Sequence, residues 1–183
     1  MKVLVIGGTL FIGRSLVGEL VKAGHEVTVL HRRRTHDLGK KVANIQCDRN
    51  DPDATQRALR NTRFEIVLDN VYDWERGTTA SQVEATVRAC GDHIERYIFM
   101  SSVAAYGDGL NHHEGDALAP DNHPNAYARN KATSERSAIA AVKLRFKPTR
   151  SATQPITGLK SCSTIKLREN KKPVWVRLKP MRR

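Results

Sequence analysis

Along the first three-quarters of the chain, short aliphatic runs alternate with longer stretches of helical period. Lys2-Val-Leu-Val-Ile6 is a compact apolar run ending in Gly7-Gly8, the pattern of a strand buried on both faces. Ile12, Leu16, Val17, Leu20 and Val21 then recur at helical spacing until Ala23-Gly24 closes the helix. Glu26 to Leu30 predicts a second strand and Val42 to Gln46 a third. Asp51-Pro52 opens a second helix, with Asp as cap and Pro in the first turn. Ile66 to Leu68 predicts a fourth strand, Thr78 to Cys90 a helix, Tyr97 to Met100 a fifth strand, and Tyr127 to Val142 a final helix. Alternation of this kind predicts an α/β fold of the Rossmann type: a doubly wound parallel sheet with helices on both faces. From residue 145 onward no helical period is sustained, and only fragments such as Val174-Trp-Val176 stand out.

Charge divides the chain at the same place. The net +12 of its 183 residues arises in residues 143–183, which hold 13 Lys/Arg and one acid, Glu169. Residues 1–142 balance at 18 of each sign. The expected organisation is a neutral Rossmann-type domain over 1–142 and a basic tail over 143–183. Two accounts of the tail stand side by side: an extension that binds nucleic acid through phosphates, or a disordered, non-native stretch replacing the rest of the fold. The compositional break inside one α/β domain favours the second. Cys47, Cys90 and Cys162 are widely spaced and form no CxxC, which points to free thiols in a reducing compartment. No stretch approaches a membrane span, so a cytoplasmic protein is expected. Adjacent His112-His113-Glu114 has no further ligand cluster, and no metal site is expected.

The chemistry begins at the first turn. Gly7-Gly8-Thr9-Leu10-Phe11-Ile12-Gly13 joins a strand to a helix, where glycines let the backbone approach a pyrophosphate and the helix supplies free N–H groups. Gly7, Thr9, Leu10, Phe11, Ile12 and Gly13 are therefore the expected cofactor contacts, although the turn alone is also what a plain strand–helix connection would give. The second strand runs into His31-Arg32-Arg33-Arg34 with no acid for a ribose 2′-hydroxyl. An Arg there pairs with a 2′-phosphate, so NADP is favoured over NAD, with Arg32 as the contact. Asp48 either accepts from the adenine amino group or pairs with Arg49. Tyr72 and Trp74 either line the cofactor side or pack elsewhere.

Tyr127-Ala-Arg-Asn-Lys131 places a phenol and an ammonium one helical turn apart, on one face. A nearby cation favours the phenolate, which suits proton transfer at neutral pH. Ser101-Ser102 follows the fifth strand, at the sheet edge where ligands bind; a turn or helix cap explains such a pair equally well.

Together the glycine turn, Phe99-Met-Ser-Ser-Val-Ala-Ala-Tyr-Gly107 and Tyr127-xxx-Lys131 resemble the NAD(P)-dependent epimerase/dehydratase family of extended short-chain dehydrogenase/reductases. The resemblance covers about residues 1–142. It implies Ser102 as catalytic serine, Tyr127 as general acid/base and Lys131 as its helper and ribose contact, with Tyr127 and Lys131 both against the cofactor. It also implies a nucleotide-sugar substrate, a bound NAD(P) and a homodimer. Leu10 stands where the family has its middle glycine, which resembles an atypical branch that includes chloroplast RNA-binding proteins. The family's C-terminal substrate lobe has no recognisable counterpart here, so a truncated product without that lobe is the expectation.

Overall fold

A computed structural model describes residues 1–113, 115–145, 165–169 and 172–176. Five strands, β1 (Lys2–Ile6), β2 (Glu26–His31), β3 (Val42–Gln46), β4 (Ile66–Asp69) and β5 (Arg96–Phe99), form one sheet in the order β3-β2-β1-β4-β5. Every pairing in it is parallel. Four helices connect or follow them: α1 (Phe11–Lys22), α2 (Pro52–Leu59), α3 (Ala80–Ala89) and α4 (Ala126–Arg145). This is the doubly wound Rossmann-type architecture that the alternation predicts.

The middle strand shows why. Val3, Leu4, Val5 and Ile6 are all fully buried, as a strand covered on both faces requires. Val3 and Val5 join Val17 of α1 and the Val27–Val29 pair of β2 on one side. Leu4 and Ile6 join Leu30, Leu59, Val67 and Cys90 on the other, beneath α2 and α3. Val83 of α3, Phe99 of β5 and Ala138 of α4 extend that second layer to the sheet's edge. Cys47 and Cys90 are buried and form no disulfide.

Local chemistry sets the helix ends. Asp51 accepts from the Ala54 N–H at 2.9 Å, with Pro52 in the first turn, as expected. Thr79 and Gln82 form a capping box, which starts α3 two residues later than hydrophobic spacing alone suggests. β5 lies one residue earlier than expected, and β2 and β4 each reach one residue further, to His31 and Asp69.

The strand order reverses between β1 and β4. Loops after these strands diverge there and leave a crevice at the carboxyl ends of the sheet. Within the basic segment, Ile165–Glu169 and Lys172–Val176 pair as an antiparallel hairpin (β6 and β7), with Glu169 opposite Lys172. Val174-Trp-Val176 falls in its second strand. The remainder of 146–183 lies outside the described residues, as does Glu114. No helix among the described residues is long and apolar enough to cross a membrane.

Candidate functional site

A crevice of about 600 Å³ opens at the switch point. From the first turn it is lined by Gly7, Thr9, Leu10, Phe11 and Ile12. Arg32 and Asp48 line it from the ends of β2 and β3, and Tyr127 and Lys131 from α4. Nine residues expected at a cofactor site thus share one cavity.

The glycines earn their places by geometry. Gly7 has φ +82°, and a Cβ on it would lie 2.3 Å from Val71 Cγ2. Gly8 packs where a Cβ would press on Val29 and Val17, so it belongs to the core rather than to the crevice. Gly13 is hidden behind the turn: a Cβ there would lie 2.1 Å from the Gly7 carbonyl oxygen. Gly13→Ala should therefore push α1 off β1. Weakening of dinucleotide binding by about tenfold or more is expected, read by NADH fluorescence titration.

The start of α1 is open. Leu10 at its cap makes no side-chain hydrogen bond, and the first turn holds no acid, so its N–H groups face the crevice unneutralised. Phe11 adopts φ +44°, unusual for a bulky residue, and is largely exposed at the crevice wall. Two further wall residues carry buried nitrogens without a protein partner, His31 Nε2 and Arg49 Nε and Nη1. Glycines that admit no Cβ, an uncapped helix start and orphaned donors are what a pyrophosphate-bearing dinucleotide would satisfy. The residues present fit that group.

On the opposite wall, Lys131 is 4% exposed, and its Nζ donates to the Met100 carbonyl oxygen at 2.7 Å. The ammonium also sits over the rings of Phe99, Tyr72 and Tyr127, at 5.0, 5.4 and 5.9 Å from their centroids. Burial pushes its pKa down to about 8; nearby Asp69 opposes that shift and Arg49 adds to it. The Tyr127 ring stacks on Trp74 at 4.9 Å and meets Tyr72 edge-on at 4.7 Å. Asn130, on the same helix, donates to the Tyr72 hydroxyl. Tyr72 and Trp74 therefore line the crevice and hold Tyr127 in place.

The serine pair divides its work. Ser101 lines the crevice and donates to Glu135 at 2.9 Å. Ser102 instead accepts from the Ala104 N–H and caps the single 3-10 turn Val103–Tyr106, outside the lining set. Asp48 pairs with Arg76, not with Arg49. Burial pulls its carboxyl upward, but the Arg76 and Asn50 donors outweigh this and hold it below the ordinary range. Arg49, at the crevice wall, pairs with the buried carboxylate of Asp69, which also accepts from the Tyr97 hydroxyl at 2.6 Å. Sequence reasoning did not single out Asp69, Asp73 or Arg76, because ion pairs 20 to 41 residues apart leave no local pattern.

Residues 3–149 match the family described as the NAD dependent epimerase/dehydratase family. This chain belongs to it. It is 33% identical over 135 residues to the chloroplast stem-loop binding protein of 41 kDa b from Arabidopsis thaliana, a match covering 65% of this chain and 34% of that protein. Its fold is similar to that of the UDP-Glc/GlcNAc 4-epimerase of Campylobacter jejuni, with a TM-score of 0.67 and 20% identity. That match covers 80% of this chain and 51% of the other. It is also similar to the Bordetella bronchiseptica enzyme WbmG solved with NAD and UDP, at a TM-score of 0.63 and 16% identity, covering 76% of this chain and 49% of that one. The chain spans about half the length of these enzymes and a third of the plant protein.

Proposed function

We propose that this chain is the cofactor-binding and proton-transfer half of an NAD(P)-dependent epimerase, dehydratase or reductase acting on a nucleotide sugar or a related hydroxyl or carbonyl compound. The observation that carries this reading is that Tyr127 and Lys131, one turn apart on α4, face the crevice formed by the glycine turn. A nicotinamide dinucleotide bound along Gly7–Gly13 would supply the hydride acceptor and donor. Tyr127 takes the proton of the substrate hydroxyl and returns it. Lys131, cationic below about pH 8, stabilises the charge that develops on the phenol oxygen. Ser102 is the proposed partner of the substrate oxygen; to serve, its hydroxyl must give up the Ala104 N–H or donate its own proton while still accepting from it. The end of β2 carries no acid, and Arg32 is the residue that a 2′-phosphate would approach were NADP to enter.

Activity should report on Lys131. With NAD and a UDP-hexose, kcat/KM is expected to fall as pH rises through about 8, where the ammonium loses its proton. Lys131→Met should remove that limb and lower the rate about 10²-fold or more. An unchanged pH profile would contradict the role. Between about pH 8 and 10.5 the unfolded chain holds a proton here that the folded chain has released. Stability from this residue therefore rises with pH across that window and is lost as pH falls through it.

A second reading draws on the basic segment 143–183 and on the plant relative's name: a module that binds structured RNA. Its mark would be RNA affinity falling steeply with salt and lost on removal of those residues.

A further inference from the structure

The mouth of the crevice carries a chain of ion pairs that proton transfer does not use. Asp73, in the loop after β4, lines the crevice with its side chain only 7% exposed. Its Oδ1 accepts the N–H groups of Glu75 and Arg76, both at 3.0 Å, so the carboxylate is held by its own loop. Its Oδ2 accepts from Arg76 Nη2 at 2.7 Å and faces Arg32 Nη1 at 3.4 Å. Arg76 reaches onward to Asp48 at 2.8 Å, tying the loop after β4 to the loop after β3. The Arg76 and Glu75 donors keep the Asp73 carboxyl ionised, well into its charged range at neutral pH.

We propose that Asp73 selects the cofactor: by pairing with Arg32 it withdraws that guanidinium from the 2′-phosphate of NADP and makes this chain prefer NAD. The inference rests on the dinucleotide reading above. An acid at the end of the second strand ordinarily excludes NADP, and an Arg there ordinarily admits it. In this chain the strand ends in His31 and Arg32, so sequence alone points to NADP. The crevice reverses that sign. A 2′-phosphate approaching Arg32 must displace a carboxylate and sit beside two acids, Asp73 and Asp48, whose combined charge the single Arg76 guanidinium between them offsets only in part. A ribose 2′-hydroxyl meets no such repulsion and finds acceptors instead. The acid has moved from the second strand to a loop 41 residues further along. Arg33 also lines the crevice and is the competing phosphate ligand.

The test is a titration of the full chain with NADH and with NADPH at fixed ionic strength, followed by the fluorescence of each. Wild type is expected to bind NADH more tightly. Asp73→Asn keeps an Oδ1 acceptor for the loop and removes the Oδ2 charge, so the NADPH-to-NADH affinity ratio should rise about tenfold. Adding Arg32→Gln to that variant should cancel the gain. Arg32→Gln alone, an exposed change, should leave the NADPH affinity of the wild type within about twofold. An unchanged ratio in Asp73→Asn overturns the proposal while leaving the dinucleotide reading intact. So does a tenfold loss of NADPH affinity in Arg32→Gln alone, or a wild type that already prefers NADPH through Arg33. Failure of the wild type to bind either dinucleotide overturns both.

Discussion

Tyr127→Phe should lower turnover of a UDP-hexose in the presence of NAD by about 10²- to 10⁴-fold, with NADH affinity changed by less than about twofold. The variant isolates one atom. The ring that stacks on Trp74 and meets Tyr72 edge-on is retained, so the aromatic wall keeps its shape. Lys131 keeps its hydrogen bond to Met100 and its position over the rings. Only the hydroxyl proposed to move the proton is lost. Chromatographic assay of the sugar product, with parallel NADH titration, separates chemistry from binding. Turnover unchanged in Tyr127→Phe would remove Tyr127 from the reaction.

Asp69→Ala should destabilise the domain by about 3–5 kcal/mol, measured by urea unfolding. The reason lies beneath the crevice. Arg49 is 3% exposed and Asp69 1%, and their ion pair has the Tyr97 hydroxyl as its third member. Two of the three guanidinium nitrogens of Arg49 already lack a protein partner. Removing the carboxylate leaves a buried cation with no compensating charge, next to the Lys131 ammonium. Replacing both partners at once, Arg49→Met with Asp69→Leu, should recover most of the loss, because no charge is then stranded. A double variant as unstable as the single one would show that the network acts by shape and not by charge.

The sheet was legible because burial on both faces leaves a dense local mark. Val3 to Ile6, Val27 to Leu30 and Ile66 to Leu68 are near-continuous aliphatic runs. The first turn was equally plain, since Gly7 and Gly13 are demanded by backbone approach and not by side-chain chemistry. Tyr127 and Lys131 were legible from their spacing, because a helix brings positions four apart onto one face. What escaped were contacts between loops. Asp73 meets Arg32, Asp48 meets Arg76 and Asp69 meets Arg49 only because separate strands deliver them to one edge. The reading of Arg32 shows the consequence: its identity was evident, while its partner, which decides what it can bind, was not. Ser102 illustrates the reverse case, where a motif position was clear and the side chain serves a turn.

The crevice at Gly7–Gly13 is proposed to hold a nicotinamide dinucleotide, and direct binding tests this most simply. Titrating the full chain into NADH should give saturable, one-to-one enhancement and blue shift of the dihydronicotinamide fluorescence, abolished by excess NAD and weakened about tenfold or more in Gly13→Ala. No binding at millimolar concentrations of either NADH or NADPH, by a chain that unfolds cooperatively, would contradict it.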